Sequence, residues 1–302
     1  MTGSATYCDW VAVDWGTSTL RAWAMRGAEM VAEARSDSGM NSLDKSQFEA
    51  ALLKLVDPWL GGRPMPVVAC GMAGARQGWT EVPYRTVPCM PLGGGVAVPT
   101  SDTRLSVTIL PGLKQDNPAD VMRGEETQVA GYLSGRPGFD GVLCLPGTHS
   151  KWVEISAGEV VSFRTFMTGE LFDLVSRHSV LRHSTGAGWD AAVFAEALGD
   201  TLSRPESLAA KLFAIRAETL LHDLSPAAAN AMLSGLLIGA ELAAARPYWL
   251  GRDVVVIGAE LLAARYAKAL ELQGVPASLA DADAMVRAGL AAARNATREA
   301  AA

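Results

Sequence analysis

Cysteine is scarce. The four that occur, Cys8, Cys70, Cys89 and Cys144, lie far apart and form no C-x-x-C pair. That argues against a zinc site or a disulfide framework. Cys70 and Cys144 sit in apolar, strand-like runs, so buried free thiols are expected. Charge is sparse too: 19% of the 302 residues are charged and the net charge is −6. This speaks against a general nucleic-acid binder and leaves room only for a local basic pocket. No basic segment followed by an apolar one opens the chain, so no signal peptide is expected. The most membrane-like stretch, Ala227 to Leu250, is broken by Asn230, Glu241, Arg246 and Pro247 and reads as a buried helix. No G-x-x-x-x-G-K-[ST] motif occurs, which excludes a P-loop enzyme. Gly93-Gly94-Gly95 lacks the strand and helix that frame a dinucleotide fingerprint, and reads as a flexible turn. What remains is an ordinary globular composition, 49% apolar and long enough for two domains. The expectation is a soluble cytoplasmic protein acting on small molecules, with no nucleic-acid or membrane partner. A homo-oligomer is compatible with this composition.

What is present is a pattern that occurs twice. The first copy reads Val11-Ala-Val-Asp-Trp-Gly-Thr-Ser-Thr-Leu-Arg21 and the second Val142-Leu-Cys-Leu-Pro-Gly-Thr-His-Ser-Lys-Trp152. Gly147 follows Gly16 by 131 positions, and Gly158 follows Gly27 by the same interval. In each copy an apolar strand enters a Gly-Thr turn, a second strand returns, and a later glycine opens another turn. Such turns offer backbone N–H groups and hydroxyls with little bulk, which suits phosphate oxygens. Matched hairpins imply a duplicated domain with a site between the halves.

The element order repeats as well. Strands are expected near 9–14, 20–25 and 29–34, a helix near 45–57, and strands at 66–70 and 106–110. A helix is expected from Pro118 to Leu133, with Asn117 as N-cap. In the second half strands are expected at 142–145, 151–156 and 159–164, then a helix at 170–178 with Thr168 as its N-cap. A partly helical stretch over 183–225 precedes a long helix at 227–245. Strands at 253–257 and 276–279 alternate with helices at 259–272 and 283–294, and the Ala-rich tail after 295 is expected to fray. The plan is α/β, with domains at 1–137 and 138–302.

An Asp at the end of a buried strand needs a hydrogen bond or a cation. Asp14, beside Gly16, Thr17 and Ser18, either holds Mg²⁺ through water or caps a tight hairpin. With two such hairpins, the chain resembles the sugar-kinase, Hsp70 and actin superfamily. That resemblance implies two RNase H-like domains with an interdomain cleft for ATP and sugar. It also implies a late strand, Gly turn and helix flanking adenosine, matched by Val254-Val-Val-Ile-Gly-Ala-Glu260. Gly258, Ala259 and Glu260 become adenosine-binding residues. Gly71-Met-Ala-Gly-Ala-Arg-Gln-Gly-Trp79, Arg123-Gly-Glu-Glu-Thr-Gln128, Leu145-Pro-Gly-Thr-His-Ser-Lys-Trp152 and Phe166-Met-Thr-Gly-Glu-Leu-Phe172 narrow it further. In order and spacing they are similar to the motifs of the 2-dehydro-3-deoxygalactonokinase family over roughly residues 9 to 275. The family implies phosphorylation of 2-dehydro-3-deoxy-D-galactonate at its 6-hydroxyl by Mg-ATP. The gluconate epimer, or nucleotide-gated binding without transfer, are the alternatives.

Phosphoryl transfer to an alcohol needs phosphate cradling, a divalent cation and a carboxylate near the acceptor. Glu125 and Glu126 flank the apolar stripe of their helix, and periodicity does not choose between them. Related sugar kinases open this helix with Gly-Asp. Gly124-Glu125 stands there, so the resemblance makes Glu125 the base and Glu126 a substrate contact. Gly147, Thr148, His149 and Ser150 are the expected phosphate contacts of the second hairpin, with Lys151 neutralising charge. No metal-spaced partner accompanies His149, which argues against a His-ligated metal. Small residues, Gly74 among them, let a ligand approach the 71–79 loop. There Arg76 either takes the substrate carboxylate or pairs with Glu81, Gln77 lies beside it, and Trp79 offers an apolar wall. Arg21 and Arg123 are further carboxylate or phosphate candidates, and Arg85 and Arg164 weaker ones.

Overall fold

The computed structural model describes residues 7–300. Its first half runs β1 (Trp10–Trp15), β2 (Leu20–Arg26), β3 (Glu29–Ser36), α1 (Phe48–Val56), β4 (Met65–Gly71), β5 (Arg85–Thr86), β6 (Val96–Val98), β7 (Leu105–Ile109), β8 (Leu113–Asp116), β9 (Ala119–Met122) and α2 (Glu125–Ser134). The second half runs β10 (Gly141–Leu145), β11 (Ser150–Ser156), β12 (Glu159–Phe166), α3 (Thr168–His178), α4 (Ala191–Ser203), α5 (Leu208–Leu221), α6 (Pro226–Ala244), α7 (Arg246–Trp249), β13 (Val254–Gly258), α8 (Glu260–Glu271), β14 (Ala277–Asp281) and α9 (Ala282–Ala300).

The repeat survives into topology. A six-stranded sheet has the order β3-β2-β1-β4-β7-β6 and a five-stranded sheet the order β12-β11-β10-β13-β14. In the first, β1, β2 and β3 form an antiparallel meander and β4 and β7 add parallel strands. In the second, β13 and β14 are parallel in the corresponding places. Strand β1 has no polar alternation because both its faces are covered. Val11, Val13 and Trp15 pack with Phe48, Leu52 and Val56 of α1. Trp10 and Ala12 pack on the other side with Val286, Leu290 and Ala293 of α9. By that alternation Asp14 lies on the α9 side.

The chain divides into two compact units. One runs from the N-terminus to Phe139 and adds Ile155–Ser162 and the segment from Ala282; the other comprises Asp140–Glu154 and Phe163–Asp281. The first break falls after Phe139, and two later pieces group with the first unit. The β11–β12 tip joins the first unit through an antiparallel bridge between Val160 and Cys89. The last helix joins it because Val286, Leu290 and Ala293 recur on one face.

Other expectations also shift. Residues 118–122 are not helical: β8 and β9 form a hairpin in which Asn117 and Pro118 are the turn, closed by Gln115 Nε2 donating to the Pro118 carbonyl at 2.9 Å. Thr168 is the first residue of α3 rather than its cap, and Met167 precedes it without a capping bond. The 183–225 stretch is largely helical, as α4 and α5, and the tail stays helical to Ala300. Helix α6 is the one described helix long and apolar enough to cross a membrane, and 67% of that window is buried. All four cysteines are free, with Cys8, Cys70 and Cys144 buried.

Helices α2 and α9 cross at two glycines. A Cβ on Gly131 would stand 1.9 Å from the Met285 carbonyl oxygen, and one on Gly289 1.9 Å from that of Thr127. Neither neighbour is a flexible side chain, so a methyl group must push the helices apart. Gly289→Ala should therefore lower unfolding free energy by about 2 kcal/mol or more, read as a reduced urea midpoint. An unchanged midpoint would show that the crossing has slack.

Candidate active site

In the first unit the parallel strands β1 and β4 end side by side, with Asp14 opposite Cys70 and Trp15 opposite Gly71. Ligands of open α/β sheets bind at such strand ends. Gly71 has φ +83°, and a Cβ there would meet the Trp15 carbonyl oxygen at 2.5 Å and Asp14 Oδ1 at 3.3 Å. Only glycine fits. A Cβ built on Gly124, which opens α2, would lie 3.4 Å from the Gly71 Cα. Asp14 and the α2 N-terminus therefore meet at one glycine.

Asp14 is not a bare carboxylate. Its Oδ2 accepts from Arg21 Nη2, and Oδ1 accepts from the Cys70 thiol at 3.7 Å. Arg21 Nη1 donates to Asp283 at the start of α9. Arg21, expected at the substrate or phosphate, is thus held between two carboxylates. Beside them Gly16, Thr17 and Ser18 form an open turn. The Gly16 N–H donates to Thr19 O at 2.8 Å, while the Gly16 and Thr17 carbonyls accept from Met40 and Asn41. Thr17 and Ser18 are exposed.

The two glutamates part company. Glu125 is partly exposed, and its Oε2 accepts the Arg123 N–H at 3.0 Å. Glu126 is 1% exposed; its Oε2 accepts the Gly124 N–H at 2.7 Å and its Oε1 the Thr127 hydroxyl at 3.2 Å. Burial, then the neighbouring Glu125 charge, pushes the Glu126 carboxyl up to about 8. A ligand in solvent can reach Glu125. It cannot reach Glu126, which the sequence had as a substrate contact.

The arginines also separate. Arg76 is 80% exposed and loosely paired with Glu81 at 3.5 Å. Gln77 is exposed beside it. Trp79 packs edge-on to Trp15 at 6.1 Å and stacks near Phe48 at 6.4 Å, so half of the expected wall belongs to the core. Arg123 Nη2 donates to the Val82 carbonyl at 2.7 Å and its guanidinium lies 4.2 Å over the Tyr84 ring, while Nε and Nη1 are buried without partners. A Cβ on Gly74 would strike Nη1 at 2.7 Å, so Gly74 makes room for Arg123 rather than for a ligand. Arg85 donates to the Met90 and Leu92 carbonyls and packs against Gly93, which fastens one end of the triple-glycine turn. Arg164 is exposed on β12.

In the second unit Thr148 and His149 are exposed on the Gly147 turn. His149 Nε2 pairs with Glu170 Oε2 at 2.6 Å, and the Glu170 N–H donates to Thr148 O at 2.9 Å. Lys151 is 5% exposed and donates to the His149 carbonyl at 3.2 Å, so it braces the turn from within. Ser150, expected at the phosphate, is fully buried and bonded to Tyr266 OH at 2.9 Å, out of reach of a ligand. Gly258 packs close to Pro146, and Ala259 and Glu260 are exposed as α8 begins. Sequence reasoning missed Glu241, which lies beneath this turn with four hydrogen-bond donors around it; its only signal was a charge inside an apolar helix.

Glu126 gives this site a pH dependence. Folding lifts its carboxyl from the ordinary value of 4.5 to about 8, so the folded state takes up a proton between those values. Its contribution is full below 4.5 and is lost as pH rises through 8. Glu126→Gln should therefore flatten the fall in stability between pH 5 and pH 8.5, measured by urea unfolding of both proteins. Equal slopes would mean that Glu126 folds already ionised.

Comparison with known proteins gives one answer. The family model for 2-keto-3-deoxy-galactonokinase matches residues 14–293. A protein of Rhizobium meliloti (strain 1021) named a probable 2-dehydro-3-deoxygalactonokinase is 41% identical over 300 residues, covering 95% of this chain and 97% of that one. The 2-dehydro-3-deoxygalactonokinase of Escherichia coli (strain K12) is 34% identical over 290 residues, covering 93% and 96%. A crystal structure of a protein assigned as a 2-dehydro-3-deoxygalactonokinase from Sinorhizobium meliloti has a TM-score of 0.89 at 40% identity, covering 95% and 99%. For the fold alone, component A of the Acidaminococcus fermentans (R)-2-hydroxyglutaryl-CoA dehydratase has a TM-score of 0.52 at 13% identity, covering 97% and 99%. The mixed α/β fold is shared with that protein. Matched in sequence along nearly its whole length, the chain belongs to the 2-keto-3-deoxy-galactonokinase family.

Proposed function

We propose that this protein transfers the γ-phosphoryl group of ATP to the 6-hydroxyl of 2-dehydro-3-deoxy-D-galactonate, giving the 6-phosphate and ADP. Family membership supports the substrate. The observation that carries the chemistry is the contrast in the first turn of α2, a solvent-reachable Glu125 beside a buried Glu126, next to Asp14 at the strand ends. Glu125 accepts the 6-hydroxyl proton as that oxygen bonds to the γ-phosphorus. The bond from the γ-phosphorus to the bridging oxygen breaks, and ADP leaves with the electron pair. Gly16, Thr17, Ser18, Gly147, Thr148 and His149 contact phosphate oxygens. Lys151 supplies positive potential beneath them, and Gly258, Ala259 and Glu260 border adenosine. On the acceptor side Arg76, exposed and lightly paired, exchanges Glu81 for the substrate carboxylate, with Gln77 and Trp79 beside the sugar. Exclusion of water on binding prevents futile hydrolysis.

Mg²⁺, when bound, offsets negative charge on the phosphate oxygens. Such an ion keeps several waters and needs only one or two carboxylates besides phosphate. Asp14 fits that requirement through water: it is partly exposed, and its pairing with Arg21 disfavours direct chelation. Among the described residues no group of three or more His, Cys, Asp or Glu side chains offers a protein-built cage.

Glu125→Gln and Asp14→Asn should each lower kcat roughly 100-fold or more with the far-ultraviolet spectrum unchanged. Near-full turnover in either variant would remove that residue's role. Arg76→Ala should raise KM for the sugar acid without a matching fall in kcat; an unchanged KM would pass the carboxylate to another cation. The deciding assay measures ADP and sugar phosphate together, with Mg-ATP and the galactonate, the gluconate epimer, or no sugar. Matched ADP and sugar phosphate with the galactonate alone supports the whole reading. ADP without sugar phosphate would make the protein an ATPase.

A further inference from the structure

Glu241 stands near the C-terminal end of α6, 3% exposed in an otherwise apolar surrounding. Its Oε1 accepts Trp152 Nε1–H at 2.8 Å and its Oε2 accepts Tyr266 O–H at 2.7 Å. The Thr168 and Ser150 hydroxyls bond to the same carboxylate. All four partners are buried, at 9% exposure or less. A carboxylate has about four acceptor positions, and neutral donors take up most of this one. A core needs no such group, since apolar residues of similar volume are commonly as stable or more so.

The partners share a location. Ser150 and Trp152 are the first and third residues of β11, where the chain leaves the Gly147-Thr148 turn. Thr168 opens α3. The next residue, Gly169, packs so tightly on the turn that a Cβ would meet the Gly147 carbonyl oxygen at 2.1 Å. The Glu170 N–H then closes on Thr148 O at 2.9 Å. Tyr266 lies on α8, the helix that begins just after Gly258. One carboxylate thus fastens the exit of the turn, the helix that clasps it, and the helix that follows the adenosine segment.

We propose that Glu241 is a positioning residue for nucleotide: by holding Ser150, Trp152, Thr168 and Tyr266 it fixes the Gly147-Thr148 turn in the shape that binds phosphate. The proposal rests on the reading of that turn as a nucleotide site. It does not depend on which sugar acid is the acceptor. In Glu241→Gln, Trp152, which can only donate, keeps the remaining oxygen. The amide nitrogen then faces the Tyr266 hydroxyl, which must reverse or let go.

The test is calorimetric binding of Mg-ADP to the full-length protein without sugar, alongside KM for ATP and for the sugar acid. Glu241→Gln should weaken Mg-ADP binding at least fivefold and raise KM for ATP in step, leaving KM for the sugar acid within twofold of the parent. Tyr266→Phe and Thr168→Val each delete one hydroxyl and should move the same two constants by smaller factors. They carry the test should Glu241→Gln fail to fold. Variants that melt earlier yet bind Mg-ADP like the parent would overturn the proposal and leave Glu241 a purely structural group. A parent protein that does not bind Mg-ADP would overturn the nucleotide reading itself, and the proposal with it.

Discussion

The first unit's candidate chemistry depends on how closely β4 passes β1 at Gly71. Any side chain there would strike the Trp15 carbonyl and crowd Asp14. Because none is present, α2 starts within van der Waals reach of the strand ends, and its N-terminus opens beside Asp14. Two consequences follow from this one approach. Glu126 is driven into the interior, where the Gly124 N–H and the Thr127 hydroxyl receive it. Glu125, one position earlier, is turned toward solvent. A helix N-terminus favours acidic groups in general; the close approach decides which of the two faces solvent.

The two units meet the same electrostatic problem in different ways. Each places a carboxylate under or beside a Gly-Thr turn, where burial opposes charge. The first unit answers with a cation: Arg21 lies between Asp14 and Asp283 and neutralises part of each. The second answers with neutral donors. Burial pushes the Glu241 carboxyl up, while the hydroxyls of Thr168, Tyr266 and Ser150 and the Trp152 indole pull it back down. A cation responds to charge at a distance, whereas short hydroxyl bonds respond to geometry. The first arrangement leaves a partly exposed carboxylate at the strand ends. The second suits one whose task is to keep a loop in shape.

Local pattern carried the sequence reading far, and its failures share a cause. The duplicated hairpins, the order of elements and the late strand and helix were legible because each rests on short-range signals, an apolar run, a Gly-Thr turn, a helical period. The Asn117-Pro118 error is also local: the same pair suits a helix start and a hairpin turn, and the alternation of Leu113 and Gln115 was too short to decide. The other misses are tertiary. Ser150 is turned inward to Tyr266, 116 residues on, and Arg21 is engaged by Asp283, 262 residues on. Nothing near Ser150 or Arg21 in the chain announces those partners.

That distinction bears on how a site residue can be recognised at all. Glu125 and Glu126 have the same side chain, the same helix turn and adjacent numbers, and the resemblance to sugar kinases could favour one only by its place after a glycine. Burial separates them on chemical grounds. A base must reach the acceptor hydroxyl and release its proton afterwards, which a carboxyl sealed at 1% exposure cannot do. Yet the sealed residue is not idle: by taking the Gly124 N–H it holds the turn from which Glu125 projects. The reactive group is identified by what it leaves open, and its neighbour by how completely its hydrogen bonds are filled. The same contrast separates Ser150 and Glu241, which are buried and bonded, from Thr148, which is open to solvent, although their side chains alone would rank them otherwise.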